Sequence, residues 1–275
     1  MTYKTILLHL ANDAGHQARI RVAAELARRF EAHVVALYVA TPVSMPAAIE
    51  GRGASYAFMA EATAIAHEKA EGVERECGEK YTADKLSWEW KIAEGDHLNV
   101  LAKEAPYADL AIVSHSKTEV LEDRIALQVP ENLPLVVGCP VIVLPEAGFN
   151  GAIGRRILIA WRPCVPAYRA VELAMPFLRE ADEVTVCSII NEDATQDDCQ
   201  RLVGHLGRHG IEARALVIPE GGASVGETLL AEAKRSGADT LVMGTYGHSR
   251  VREMVLGGVT RHALDHVAIP MLVSH

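Results

Sequence analysis

Short runs of apolar, often β-branched residues alternate along the whole chain with longer stretches in which apolar positions recur every three or four residues. That alternation predicts a parallel sheet with crossover helices. Thr5–Leu10, His33–Val39, Leu86–Ile92, Leu110–Ser114 and Val141–Leu144 read as strands, followed by Arg156–Trp161, Glu183–Ile189, Glu212–Ile218, Thr240–Met243 and Met271–Ser274. Gln17–Phe30 and Ala167–Arg179 carry apolar residues at helical spacing with Arg and Glu between them, predicting a helix after the first strand of each set.

The two sets are copies of one another. Ile6-Leu7-Leu8-His9-Leu10 has a counterpart in Ile157-Leu158-Ile159-Ala160-Trp161 (157 − 6 = 151), whereas Ala108-Asp109-Leu110 pairs with Ala238-Asp239-Thr240 (238 − 108 = 130). The first copy therefore carries about 21 extra residues, assigned to Met45–Lys80, where the alanine-rich stretch Phe58–Ala70 predicts a longer helix. Pro145-Glu146-Ala147-Gly148-Phe149-Asn150-Gly151 reads as a linker between domains at 1–147 and 152–275. The expected fold is α/β: two tandem doubly wound, five-stranded parallel-sheet domains of Rossmann-like type. In such sheets ligands sit beyond the carboxyl ends of the strands, where the strand order reverses.

Composition narrows the partners. The 275 residues include 27 Lys and Arg against 36 Asp and Glu, a net charge of −9, which disfavours a nucleic-acid partner. No apolar run approaches the roughly 18 residues of a membrane span. The run Ile6-Leu7-Leu8 is interrupted by His9 and lacks a small-residue cleavage pattern, so a cytoplasmic location with no membrane partner is expected. Cys77, Cys139, Cys164, Cys187 and Cys199 are odd in number and nowhere spaced C-x-x-C, and they read as reduced thiols, mostly in the core.

Candidate chemistry concentrates after the fourth strand of the second copy. Gly244-Thr245-Tyr246-Gly247 is followed by nine residues and then Gly257-Gly258-Val259-Thr260, which opens the stretch Val259–His266. Glycines permit close backbone approach, and the free N–H groups and dipole of a helix N-terminus attract an anion such as phosphate. His248, Ser249 and Arg250 lie inside the same loop. Neither G-x-x-x-x-G-K-[ST] nor a complete dinucleotide fingerprint occurs, which argues against a P-loop ATPase or a Rossmann dehydrogenase.

Across both copies the chain resembles the universal stress proteins, whose pattern G-x-x-G, nine residues, G-[S/T] is met by Gly244, Gly247 and Gly257. The resemblance implies an adenine nucleotide alpha hydrolase-like fold and a ligand among ATP, ADP and AMP, with or without Mg. The residues it assigns to that ligand are Gly244, Gly247, His248, Gly257, Gly258, Val259 and Thr260, joined by Trp161 and Arg162 at the end of the first strand. It also implies that Val141–Leu144 and Met271–Ser274 pair across a twofold as an intramolecular pseudo-dimer, with a homodimer of chains as a further expectation. Two departures stand out: Gly258 occupies the Ser or Thr position, and Arg162 stands where nucleotide-binding members have Asp.

In the first copy the corresponding positions are Ser114, Lys117, Leu127, Gln128 and Pro130, and Glu131 places negative charge nearby. That copy is expected to be a degenerate duplicate without the nucleotide site. The pairs His205/His209 and His262/His266 are spaced for one helix face, with Cys199 and Asp265 as conceivable third metal ligands, but they read as surface histidines and no metal site is assigned. Ser249, His248 and Asp265 lack a nucleophile elbow, and no catalytic residue is assigned. The sequence thus points to a stress-related binding or regulatory protein. A slow ATPase or nucleotide-transforming enzyme and a nucleotide-free scaffold are the alternatives.

Overall fold

The computed structural model describes residues 2–11, 13–40, 52–115, 129–145, 149–190, 195–245 and 258–275. Ten strands form one sheet in the order β3-β2-β1-β4-β5-β10-β9-β6-β7-β8. They are β1 Thr5–Leu10, β2 His33–Ala40, β3 Trp88–Glu94, β4 Leu110–Ser114, β5 Val141–Leu144, β6 Arg156–Ala160, β7 Glu183–Ile190, β8 Ala213–Pro219, β9 Thr240–Gly244 and β10 Met271–Ser274. Within each half every pairing is parallel, and the halves meet where β5 and β10 run antiparallel with Ile142 opposite Leu272. The intramolecular pairing expected of the fifth strands is therefore present. It gives each terminal strand a partner and removes two exposed edges from the middle of the sheet.

Helices cover both faces. α1 His16–Phe30, α2 Arg52–Ala83, α5 Val165–Leu173, α6 Met175–Leu178 and α7 Gln196–Arg208 lie on one face, where Ile6, Leu8, Ile157, Ile159, Ile142 and Leu272 form a continuous core with Leu26, Phe30 and Phe177. On the other face α3 His97–Glu104, α4 Val129–Val136, α8 Val225–Arg235 and α9 Gly258–His266 cover Leu7, Val113, Val141, Leu158, Leu241 and Val273. Strands buried on both faces must be apolar at consecutive positions, which is why β1, β4, β5 and β10 read so clearly in the sequence.

The longer element expected in the first half is α2, with 32 residues against 13 in α7 at the equivalent place. Most boundaries fall within one residue of expectation, and two elements differ by more. The helix read over Ala167–Arg179 begins at Val165 and is divided at Ala174, because Pro176 has no N–H to donate and its ring obstructs a continuous ladder. The third strand starts at Trp88, since the end of α2 turns through Lys85, at φ +54°, and Leu86 still donates back to the Tyr81 carbonyl at 2.9 Å.

Aromatic packing also joins the halves. Phe177 lies edge-on to Phe30 at 5.2 Å between ring centres and tilted against Tyr3 at 5.5 Å, while the Tyr3 hydroxyl donates to the Leu173 carbonyl. Arg29 covers both phenylalanine rings and donates to Glu180 and to the Ile153 carbonyl. Burial pushes the Tyr3 phenol well above its ordinary value, so it remains a neutral donor.

Candidate functional site

Strand order reverses between β1 and β4 in the first half and between β6 and β9 in the second. Because β5 and β10 are antiparallel, the two crevices beyond the carboxyl ends open at opposite edges of the sheet. They are built differently.

In the second half β9 ends at Gly244, and Thr245 returns to β10 by donating from its N–H and hydroxyl to the Ser274 carbonyl at 2.8 and 3.2 Å. Gly244 lies directly against the first turn of α5: a Cβ there would sit 2.3 Å from the Ala167 nitrogen and 2.4 Å from the Pro166 carbonyl carbon. Its side-chain space is thus occupied by protein backbone. Gly258, at the start of α9, is exposed, and a Cβ built on it meets nothing within 4 Å. Thr260, two residues further on, is buried, and Val259 packs against the core of that face. Gly247, His248 and Gly257 lie outside the described residues.

Trp161 follows β6 directly. Its N–H donates to the Cys187 carbonyl at 2.8 Å, its carbonyl accepts from Ser188 Oγ at 2.7 Å, and its indole Nε1 donates to the Asp198 carbonyl of α7 at 3.1 Å. The ring is therefore held by α7 and packed against the core. Arg162 is half-buried, and its carbonyl accepts from the Cys164 N–H in the turn that leads into α5.

The first half has a buried polar cluster in the corresponding region. Arg19 of α1, 1% exposed, pairs with Asp13 at 2.7 Å and also donates to the Ser114 hydroxyl at the end of β4. His9 of β1 lies with Nε2 2.8 Å from Nδ1 of His97, the first residue of α3, and both rings are buried. Burial, the Arg19 charge and His97 together hold the His9 imidazole well below its ordinary value, so it is neutral near pH 7. Sequence reading missed this cluster, although two signals were available. Arg19 falls in phase with Ala23, Leu26 and Phe30 on the buried stripe of α1, and His9 interrupts an otherwise apolar strand.

A family model for the universal stress protein family matches residues 2–145 and again residues 154–275. The chain belongs to this family. Among solved structures it is similar to a universal stress protein from Archaeoglobus fulgidus DSM 4304, with 18% identity, 98% of this chain and 97% of that chain covered, and a TM-score of 0.77. It is also similar to a putative universal stress protein from Pseudomonas aeruginosa UCBPP-PA14, with 14% identity, 99% and 93% covered, and a TM-score of 0.63. At such identities the likeness is one of fold. None of the curated proteins matches the sequence.

As a universal stress protein the chain is asymmetric in a defined way. With the offsets of 151 and 130 residues, His9, Gly15, Arg19 and Ser114 of the first half correspond to Ala160, Pro166, Ala170 and Gly244 of the second. Three polar side chains are replaced by small apolar ones.

In each histidine pair the second ring is exposed and the first half-buried. His262 and His266 stack at 4.4 Å, and His205 and His209 meet edge-on at 4.8 Å. Cys199 is buried with its thiol donating to the Val186 carbonyl at 3.1 Å, and Asp265 belongs to a different cluster, with His115 and Glu131. No helix among the described residues is long and apolar enough to cross a membrane.

Proposed function

We propose that this universal stress protein binds one adenine nucleotide, ATP, ADP or AMP, at the carboxyl edge of its second half, and that the bound state regulates a partner in the stress response. The observation that carries this reading is the exchange of His9, Arg19 and Ser114 for Ala160, Ala170 and Gly244 between the halves. The first crevice carries its own buried polar side chains, and the second has small apolar residues in their place. α9 begins beside that second crevice with an exposed glycine, so its first N–H groups are accessible to a phosphate. Gly247, His248 and Gly257 complete the cradle in this reading, Thr260 supports the helix start, and Arg162 supplies a cation.

Nucleotide binding is to be measured by calorimetry on the full chain with ATP, ADP and AMP. One nucleotide per chain is expected. Gly258→Val tests the site at a position where a Cβ meets nothing within 4 Å, and Gly247→Val tests the other end of the loop. Loss of binding in both variants, with unchanged thermal unfolding, supports the reading. Wild-type affinity in both variants, or no binding to the wild type at millimolar nucleotide, overturns it.

A further inference from the structure

His115 follows β4 directly, Glu131 lies in the first turn of α4, and Asp265 lies near the end of α9. α4 and α9 pack against one another across the seam between the halves, so two of these residues come from the first half and one from the second. One ligand atom from each lies within 4.8 Å of the others. His115 Nε2 is shielded from solvent and makes no hydrogen bond to any described residue, and Glu131 Oε1 stands 3.4 Å from it. That separation is long for a hydrogen bond between these atoms. It matches the edge of about 3.4 Å expected between two ligands bound about 2.1 Å from a tetrahedral metal.

We propose that His115, Glu131 and Asp265 form a divalent-metal site of the zinc class that ties the two halves of the chain together. One imidazole and two carboxylates are a donor set suited to Zn²⁺, with Co²⁺ as its spectroscopic substitute. Three protein ligands leave the fourth tetrahedral position to water or a small anion. Glu131 and His115 already stand at ligand spacing, so closure requires movement of Asp265. Its side chain is 39% exposed and, among the described residues, is paired with Arg261, one turn back, at 3.7 Å. An exposed pair of that kind is weak and yields readily to a metal. The site is separate from the second-half crevice, and the titration that tests it contains no nucleotide, so its outcome is independent of the nucleotide reading.

The full chain, stripped with a chelator and dialysed, is titrated with Zn²⁺ and with Co²⁺, and bound metal is counted by mass spectrometry. One ion per chain is expected, with visible Co²⁺ absorption and a higher unfolding temperature in the presence of Zn²⁺. Asp265→Asn, at a partly exposed side chain, and His115→Gln should each weaken binding at least about tenfold and abolish the thermal shift. A variant carrying both His262→Gln and His266→Gln should bind as the wild type does. Absence of binding at tens of micromolar metal, undiminished binding in both Asp265→Asn and His115→Gln, or loss of binding in the double-histidine variant would each overturn the proposal.

Discussion

Pro166 and Gly244 fit each other by subtraction: the carbonyl carbon of Pro166 occupies a point 2.4 Å from where a Cβ on Gly244 would stand. The first half solves the same contact with the glycine on the opposite partner. There Gly15 leads into the helix and Ser114 ends the strand, and a Cβ on Gly15 would lie 2.6 Å from the Ser114 hydroxyl oxygen. Placing the glycine on the helix side leaves the strand end free to carry a hydroxyl, and that hydroxyl receives Arg19. Placing it on the strand side gives the second half the first glycine of its family pattern. That glycine therefore has a packing role whatever the loop binds.

Gly244→Ala should consequently destabilise the protein through overpacking, by about 1–3 kcal/mol, because the obstructing atoms are backbone and cannot swing away. Gly258→Ala, with open space around its Cβ, should leave the thermal midpoint unchanged or slightly raised. Melting curves followed by circular dichroism compare the two directly. Equal midpoints for both variants would show that α5 yields to Gly244 at no cost.

Arg19 and Asp13 should behave as a buried pair whose halves cannot be removed separately. Their side chains are 1% and 6% exposed, so Arg19→Met or Asp13→Asn alone leaves its partner's charge enclosed, at a cost of about 3–5 kcal/mol. The double variant should recover a large part of that loss. Urea titrations of the four proteins complete the cycle. Additive losses would mean that the two side chains stabilise the fold independently.

Much of the architecture was legible because the fold buries consecutive residues of β1, β4, β5 and β10, leaving apolar runs that only a doubly covered sheet explains. The duplication was legible because Ile6 and Ile157, or Asp109 and Asp239, retain their neighbours. Asp239 accepts from the Arg156 N–H at 2.8 Å and Asp109 from the Lys4 N–H at 2.7 Å, so the same strand start is held in each half. The Arg19 cluster was not legible, since Ser114 stands 95 residues from Arg19 and nothing local links them. Asp265 was misleading for a related reason. Helical spacing placed it beside His262 and His266, and only the meeting of α4 with α9 shows that it faces His115 and Glu131.

His9 should make the protein sensitive to mild acid. Its imidazole is held well below the ordinary value of 6.5 by burial first, then by Arg19 and His97, so the unfolded chain takes up the proton before the folded one does. The stability this neutral group permits is complete above about pH 6.5 and is lost as pH falls below it, by up to about 1.4 kcal/mol per unit. In His9→Gln the decline between about pH 6.5 and 5 should be shallower than in the wild type, as measured by urea unfolding across that range. Parallel curves would place the acid sensitivity in other histidines.

The cysteines give a test of how tightly the two covered faces close. Burial pushes the thiols of Cys77 and Cys187 up to about 12 and that of Cys139 up to about 11, and it also raises Cys199, which already donates to the Val186 carbonyl. Reaction with a disulfide reagent needs both access and thiolate, and these four have little of either in the folded state. Cys164 is different: it lies at the half-buried turn before α5, in the crevice region of the second half. At pH 8 the native protein should therefore release one equivalent of reporter rapidly, with the remaining four of the five thiols reacting only in denaturant. Cys164→Ser should remove the fast phase. A second fast thiol would identify a helix that opens on the timescale of labelling; Cys77, on the long helix α2, would then be the residue to replace next.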